Sequence, residues 1–133
     1  MKKVKVGVIG GAGYTGGELL RIIVNHPNVE IVFVHSKSNA GNLISDVHTD
    51  LLGDTDIRFT GELSDSIDAL FLCTGHGEAK KFLAENKIDA KIKIIDLSQD
   101  YRLAASNKGL EQPFIYGLPE LNRDKIKQAH NIA

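Results

Sequence analysis

Three glycines spaced three apart, Gly10, Gly13 and Gly16, follow a β-branched run of Val4, Val6, Val8 and Ile9. They lead straight into an apolar helical pattern beginning near Thr15. A strand, a glycine turn and a helix in that order open a dinucleotide-binding βαβ unit. The three glycines serve different ends. One allows a tight turn, one lets the backbone approach a diphosphate closely, and one lets the helix pack closely on the strand. The helix start adds unpaired N–H groups and a partial positive charge, which suit an anion. Tyr14 and Thr15 lie inside the same turn and join the three glycines as cofactor-side candidates. The fold this predicts is α/β: a Rossmann-like, doubly wound, mostly parallel sheet.

The first helix is expected over about residues 15–25, with Leu19, Leu20, Ile22, Ile23 and Val24 as its buried side. His26-Pro27 stops it, because a residue before proline avoids the helical region. A nearly continuous apolar strand follows at residues 29–35 and ends in Ser36-Lys37-Ser38. A site that prefers NAD places an acid at this strand end to hold the ribose 2′-hydroxyl. Here the only nearby acid, Glu30, stands at the opposite end of the strand. A cation between two hydroxyls suits a 2′-phosphate, so Ser36, Lys37 and Ser38 point to NADP(H). The plain alternative is a solvated turn whose lysine touches nothing.

Residues 41–56 are weakly patterned, with one short helix expected around Leu43, Ile44 and Val47. Asp46, His48 and Asp50 alternate there, but three polar loop residues without further ligands do not make a metal site. Short strands are expected at residues 57–60 and 68–74, the second ending in Gly75-His76-Gly77. Ligands of open α/β sheets bind beyond the carboxyl ends of strands, so residues 74–77 should face the cofactor. His76 then reads either as a cofactor contact or as a residue near a helix start. A helix with Ala79, Phe82 and Leu83 on one side follows, then a strand at residues 91–97. That strand delivers Ser98 and Arg102, candidates for holding a phosphate or carboxylate. Alternatively Asp96, Asp100 and Arg102 are surface ion pairs. Asn122 is the expected cap of a helix over residues 123–128, and residues 130–133 begin another strand.

Sixteen Lys and Arg against seventeen Asp and Glu leave a net charge of −1, so nothing favours nucleic acid or an anionic membrane as partner. The 133 residues suit one domain, and the N-terminus shows no signal-peptide pattern. A cytoplasmic protein is expected. The only cysteine, Cys73, sits within an apolar strand and reads as a small core residue rather than a nucleophile.

Several blocks together carry a resemblance. They are residues 10–21, His26-Pro27, Ser36-Lys37-Ser38 with Ala40-Gly41, Gly75-His76-Gly77, Ile95-Asp-Leu-Ser-Gln-Asp-Tyr-Arg-Leu103 and Tyr116-Gly-Leu-Pro-Glu-Leu121. The chain resembles, over essentially its whole length, the N-terminal part of the N-acetyl-γ-glutamyl-phosphate reductase family, relatives of aspartate-semialdehyde dehydrogenase. The resemblance implies an enzyme of arginine biosynthesis. A cysteine thiolate attacks the acyl phosphate of N-acetylglutamyl phosphate, phosphate leaves, and NADPH reduces the resulting thioester to the semialdehyde. It also implies that the nucleophile lies in an Asn-Pro-Gly-Cys run beyond Ala133, together with a substrate-binding half. On that reading residues 1–133 are an NADP-binding fragment with no catalytic residue of their own, inactive alone, from a protein that forms homo-oligomers. Gly75, Gln99, Tyr101 and Lys37 depart from the commoner family residues. Two other readings share the glycine turn: a non-catalytic NADP-sensing module, and the N-terminal domain of aspartate-semialdehyde dehydrogenase. The blocks at residues 98–102 and 116–120 suit the latter less well.

Overall fold

The computed structural model describes residues 2–133. Its spine is a seven-stranded sheet in the order β3-β2-β1-β4-β5-β7-β6, every pairing parallel. The strands are β1 (Val4–Ile9), β2 (Val29–His35), β3 (Phe59–Thr60), β4 (Ala69–Leu72), β5 (Lys93–Asp96), β6 (Phe114–Ile115) and β7 (Asn131–Ile132). The chain builds outward from β1 to β2 and β3, then returns to the other side of β1 for β4. The loops leaving β1 and β4 therefore part in opposite directions, opening a crevice at their carboxyl ends.

Helices cover both faces. On one, α1 (Tyr14–Ile23) and the short α2 (Ile44–Val47) enclose Val6, Val8, Leu20, Ile23, Val34, Ile44 and Phe59. On the other, α3 (Glu78–Glu85) lays Ala79, Phe82 and Leu83 over Leu70, Leu72, Ile92 and Ile94. β2 carries a bulge: Val6 pairs with Ile31 but Gly7 with Phe33, which skips Val32. The Phe33 ring lies over Gly7, where any Cβ would collide with it.

One expectation fails locally and one is extended. Ile22, expected on the buried side of the first helix, is 68% exposed. The buried side is narrower than the apolar content suggests, because Gly16 and Gly17 share its stripe with Leu20 and Ile23. The last helical segment, α4 (Pro119–Gln128), is two helices joined across Asn122, so the helix expected after Asn122 is present and an extra turn starting at Pro119 precedes it. Proline fits a helix's first turn, which has no need of its missing N–H. Asn122 sits inside as a non-helical kink and donates its side-chain amide to Tyr116 O at 3.0 Å.

β7 inserts between β5 and β6 and pairs with β5 only through Ile95 and Ile132. Buried Asn131 supplies what that short ladder lacks. Its Oδ1 accepts from Ile94 N–H at 3.0 Å and its Nδ2 donates to Gln112 O at 3.1 Å. A cavity of about 590 Å³ is lined by Phe33, Leu70, Phe82, Ile88 and Ile92 where the chain enters β4 and β5. That is the end of the sheet away from the glycine turn. No helix among the described residues is long and apolar enough to cross a membrane.

Candidate dinucleotide site

β1 ends at the crevice, and Gly10 turns the chain there with φ +75°. A Cβ on Gly10 would collide with the Cys73 carbonyl oxygen, just beyond β4. One on Gly16 would lie 2.6 Å from Gly10 O and 2.8 Å from Gly11 Cα, so α1 touches the turn backbone to backbone. Gly13 is different. A Cβ there meets nothing nearer than 3.8 Å, and its φ of −83° is ordinary. The chain itself gives no reason for glycine at Gly13, whereas a ligand lying against the turn would. Gly13 caps α1 without a side-chain acceptor, and no acid stands in the first turn. Among the described residues the N–H groups of Tyr14, Thr15 and Gly16 find no acceptor. Tyr14 is 97% exposed beside them. These features fit a diphosphate, which needs a cradle without side chains and several donors.

At the end of β2, Ser36 is buried and Lys37 and Ser38 are exposed. The two hydroxyls are 3.5 Å apart, and Asn39 Nδ2 donates to each at 3.4 Å. Lys37 has no carboxylate within 4.0 Å among the described residues. Burial pushes the adjacent His35 imidazole below its ordinary pKa, a bond to Gly61 opposes this, and Lys37 pushes the same way as burial. His35 is therefore neutral at neutral pH, and Lys37 supplies the loop's charge.

Beyond β4, Thr74 Oγ1 is buried with no hydrogen-bond partner among the described residues. Gly75 and His76 are exposed, and His76 Nδ1 accepts from Gln99 N–H at 3.2 Å. The loop after β5 clasps this one: Asp100 accepts from Gly77 N–H at 2.7 Å and Lys80 N–H at 3.1 Å. Asp100 thus fills the N-terminus of α3 with a carboxylate and leaves α1 as the helix start open to an anion. Ser98 is 1% exposed, donates to Asp96 Oδ2 at 2.9 Å and accepts from Asp100 N–H at 3.2 Å. Its hydroxyl is used inside the loop. Arg102 is exposed, donates to Leu97 O at 3.2 Å, and lines a cavity of about 320 Å³ with Tyr116, Gly117 and Ala133. Of the two substrate-side candidates, only Arg102 reaches open space.

A family model described as "Semialdehyde dehydrogenase, NAD binding domain" matches residues 5–129. The chain belongs to that family. Curated N-acetyl-γ-glutamyl-phosphate reductases are similar to it: 56% identical over 131 residues in Parabacteroides distasonis and 55% in Bacteroides thetaiotaomicron. Each alignment takes in 98% of this chain, which spans 39% of the length of those relatives. Among solved structures, aspartate semialdehyde dehydrogenase with NADP from Candida albicans aligns with TM-score 0.63 at 18% identity, covering 97% of this chain and 41% of that one. That likeness concerns the fold alone.

In this semialdehyde dehydrogenase domain, residues 46–50 are engaged with the protein itself. Asp46 accepts from Leu43 N–H at 3.1 Å, and Asp50 takes Arg21 through Nε at 2.6 Å and Nη2 at 3.1 Å. His48, buried, bonds Gly11 O through Nε2 at 2.7 Å. The sequence marks His48 only within an alternation of polar residues. Its partner lies 37 residues away, and no local pattern signals that contact. Gly11 stands outside the three-residue spacing, yet a Cβ there would strike Val34 Cγ1.

Burial pushes the Cys73 thiol up to about 12, and the charge of Asp96 adds to this. Burial also raises Asp96, against the bonds it takes from Ser98 N–H and Oγ–H. For Asp100 burial acts upward, but the N–H groups of Gly77 and Lys80 and the Lys80 charge hold it below the ordinary carboxylate value. A depressed folded-state pKa gives stability that is present above the unfolded value and lost as pH falls through the folded one. Asp100→Ala is therefore expected to cost about 1–2 kcal/mol at pH 7, as for a lost helix cap. The deficit should shrink below about pH 4. Urea unfolding of both proteins across pH 3–7 measures it.

Proposed function

We propose that the chain is the NADP-binding domain of an N-acetyl-γ-glutamyl-phosphate reductase, which reduces N-acetylglutamyl 5-phosphate to the 5-semialdehyde in arginine biosynthesis. The observation that carries the cofactor part is the pairing of an uncapped α1 start with a lysine at the end of β2 that has no ion-pair partner among the described residues. The substrate part rests on the 54–56% identity to curated reductases of that name. When bound, NADPH supplies the hydride. The N–H groups of Tyr14, Thr15 and Gly16 hold its diphosphate against the space left at Gly13. Ser36, Lys37 and Ser38 take the 2′-phosphate, with Lys37 as the cation. Gly75 and His76 lie along the crevice beyond β4, and Arg102 faces the acyl phosphate's side. A cytoplasmic, homo-oligomeric protein acting on a small molecule, with no nucleic-acid or membrane partner, completes the reading.

Cys73 takes no part in the chemistry. Burial pushes its thiol up to about 12, so almost none of it is ionised at neutral pH, and thiolate is the reactive form. The nucleophile belongs to the part of the relatives that this chain does not span. Cys73→Ala in the full-length protein should keep turnover within about threefold, and loss of all activity would overturn the assignment of Cys73 to the core.

The direct test follows NADPH oxidation by the full-length protein with N-acetylglutamyl phosphate and with aspartyl phosphate, and in parallel the isolated 133-residue chain. Turnover of the acetylated substrate alone is expected, with a chain that binds NADPH yet turns over neither. Preference for aspartyl phosphate, or turnover by the isolated chain, would overturn the reading.

A further inference from the structure

We propose that His48 is a positioning residue for the diphosphate site, acting through one peptide plane of the glycine turn. The proposal rests on the reading of that turn as the NADPH site. His48 lies just beyond α2, is 7% exposed, and places Nε2 2.7 Å from Gly11 O. A carbonyl oxygen can only accept, so Nε2 carries the proton and donates. The peptide joining Gly11 to Ala12 is planar and trans, and its C=O and N–H point in opposite directions. A carbonyl pinned inward by a buried imidazole therefore aims the Ala12 N–H outward. That N–H has no acceptor among the described residues. Ala12 thus joins Tyr14, Thr15 and Gly16 as a donor to the diphosphate.

The pin is needed because Gly10 and Gly11 stand side by side, and backbone without Cβ atoms turns over easily. It is also rigidly held. The ring of His48 fills the space of the side chain that Gly17 lacks: a Cβ there would lie 2.7 Å from ring atoms Cε1 and Nδ1. Phe59 meets the ring edge-on with centroids 6.4 Å apart. Two residues further, Asp50 grips Arg21 of α1 through two contacts. The segment that carries His48 is thus fastened to the helix whose start it serves.

The test uses two probes on the full-length protein: NADPH, and adenosine 2′-phosphate, which carries the 2′-phosphate but no diphosphate. Binding is followed by calorimetry for wild type, His48→Leu and His48→Gln, at a temperature where circular dichroism shows each folded. His48→Leu should bind NADPH about tenfold more weakly and adenosine 2′-phosphate within about twofold of wild type. His48→Gln, whose amide can donate to the same carbonyl, should bind NADPH within about threefold of wild type. A structural role alone would weaken both probes together or neither. Parallel loss of both, unchanged NADPH binding in His48→Leu, or no recovery in His48→Gln each overturns the proposal. If His48→Leu does not fold, the glutamine variant decides alone: a loss beyond threefold overturns it. Wild-type protein that binds no NADPH would instead overturn the reading of the turn.

Discussion

Gly10→Ala is expected to remove about 2–5 kcal/mol of stability and, with it, nearly all NADPH binding. Two costs add. The residue holds φ at +75°, a region that costs an L-residue about 1–2 kcal/mol. Its new Cβ would also collide with the Cys73 carbonyl, a backbone atom of the neighbouring strand that cannot swing aside. Overpacking of this kind costs about 1–3 kcal/mol even where side chains can adjust. Domains of this size are stable by about 5–15 kcal/mol, so the loss is a large share of the whole. Gly13→Ala is the control. Its Cβ would meet nothing nearer than Gly10 O at 3.8 Å, an ordinary contact, and its φ is ordinary, so unfolding in urea should differ from wild type by less than about 1 kcal/mol. Yet NADPH affinity should fall, because the methyl group takes the place that the diphosphate needs. Equal destabilisation of the two variants would mean that both glycines serve the fold and neither serves the ligand.

This contrast also shows how far the sequence could be read. Gly10-x-x-Gly13-x-x-Gly16 announced a strand, a turn and a helix, because the period of glycines is itself a record of backbone contacts. It did not distinguish glycines required by the chain from one left free for a ligand. Only the neighbours of each Cβ position separate them, and Cys73 is 63 residues away from Gly10 along the chain. That the sheet is mostly parallel was legible for a related reason: the nearly continuous apolar run at residues 29–35 calls for cover on both faces. The insertion of β7 between β5 and β6 was not legible. It depends on Asn131, whose side chain bonds two other segments, and a lone asparagine before two apolar residues has no local signature. The extra helical turn from Pro119 and the exposure of Ile22 escape the pattern because propensity is weaker than the packing around it. Ser98 looked like a ligand residue because it follows a strand end. In the fold its hydroxyl is consumed by Asp96 and by Asp100 N–H, a local turn that competes with any ligand.

Cofactor choice turns on Lys37, and reversing its charge is expected to produce the largest functional change that leaves the fold intact. The side chain is exposed and joins no ion pair among the described residues, so Lys37→Glu and Lys37→Ala disturb no packing. A charge-assisted bond to phosphate contributes about 1.5–3 kcal/mol, or roughly 10–100-fold in affinity. Lys37→Ala should therefore weaken NADPH by that factor and leave NADH within about twofold. Glutamate adds repulsion against the 2′-phosphate and can accept from the ribose 2′-hydroxyl that NADH offers. The NADPH-to-NADH affinity ratio should then fall by about 100–1,000-fold. Salt gives an independent check, since an exposed pair is screened over about 8 Å at physiological ionic strength. The wild-type ratio should decline as salt rises, while that of Lys37→Ala stays nearly flat. The buried Ser36 cannot substitute for the lysine: its hydroxyl is shared with Ser38 and Asn39, and it brings no charge. A ratio unchanged in Lys37→Glu would place the 2′-phosphate elsewhere and remove this loop from the account of specificity.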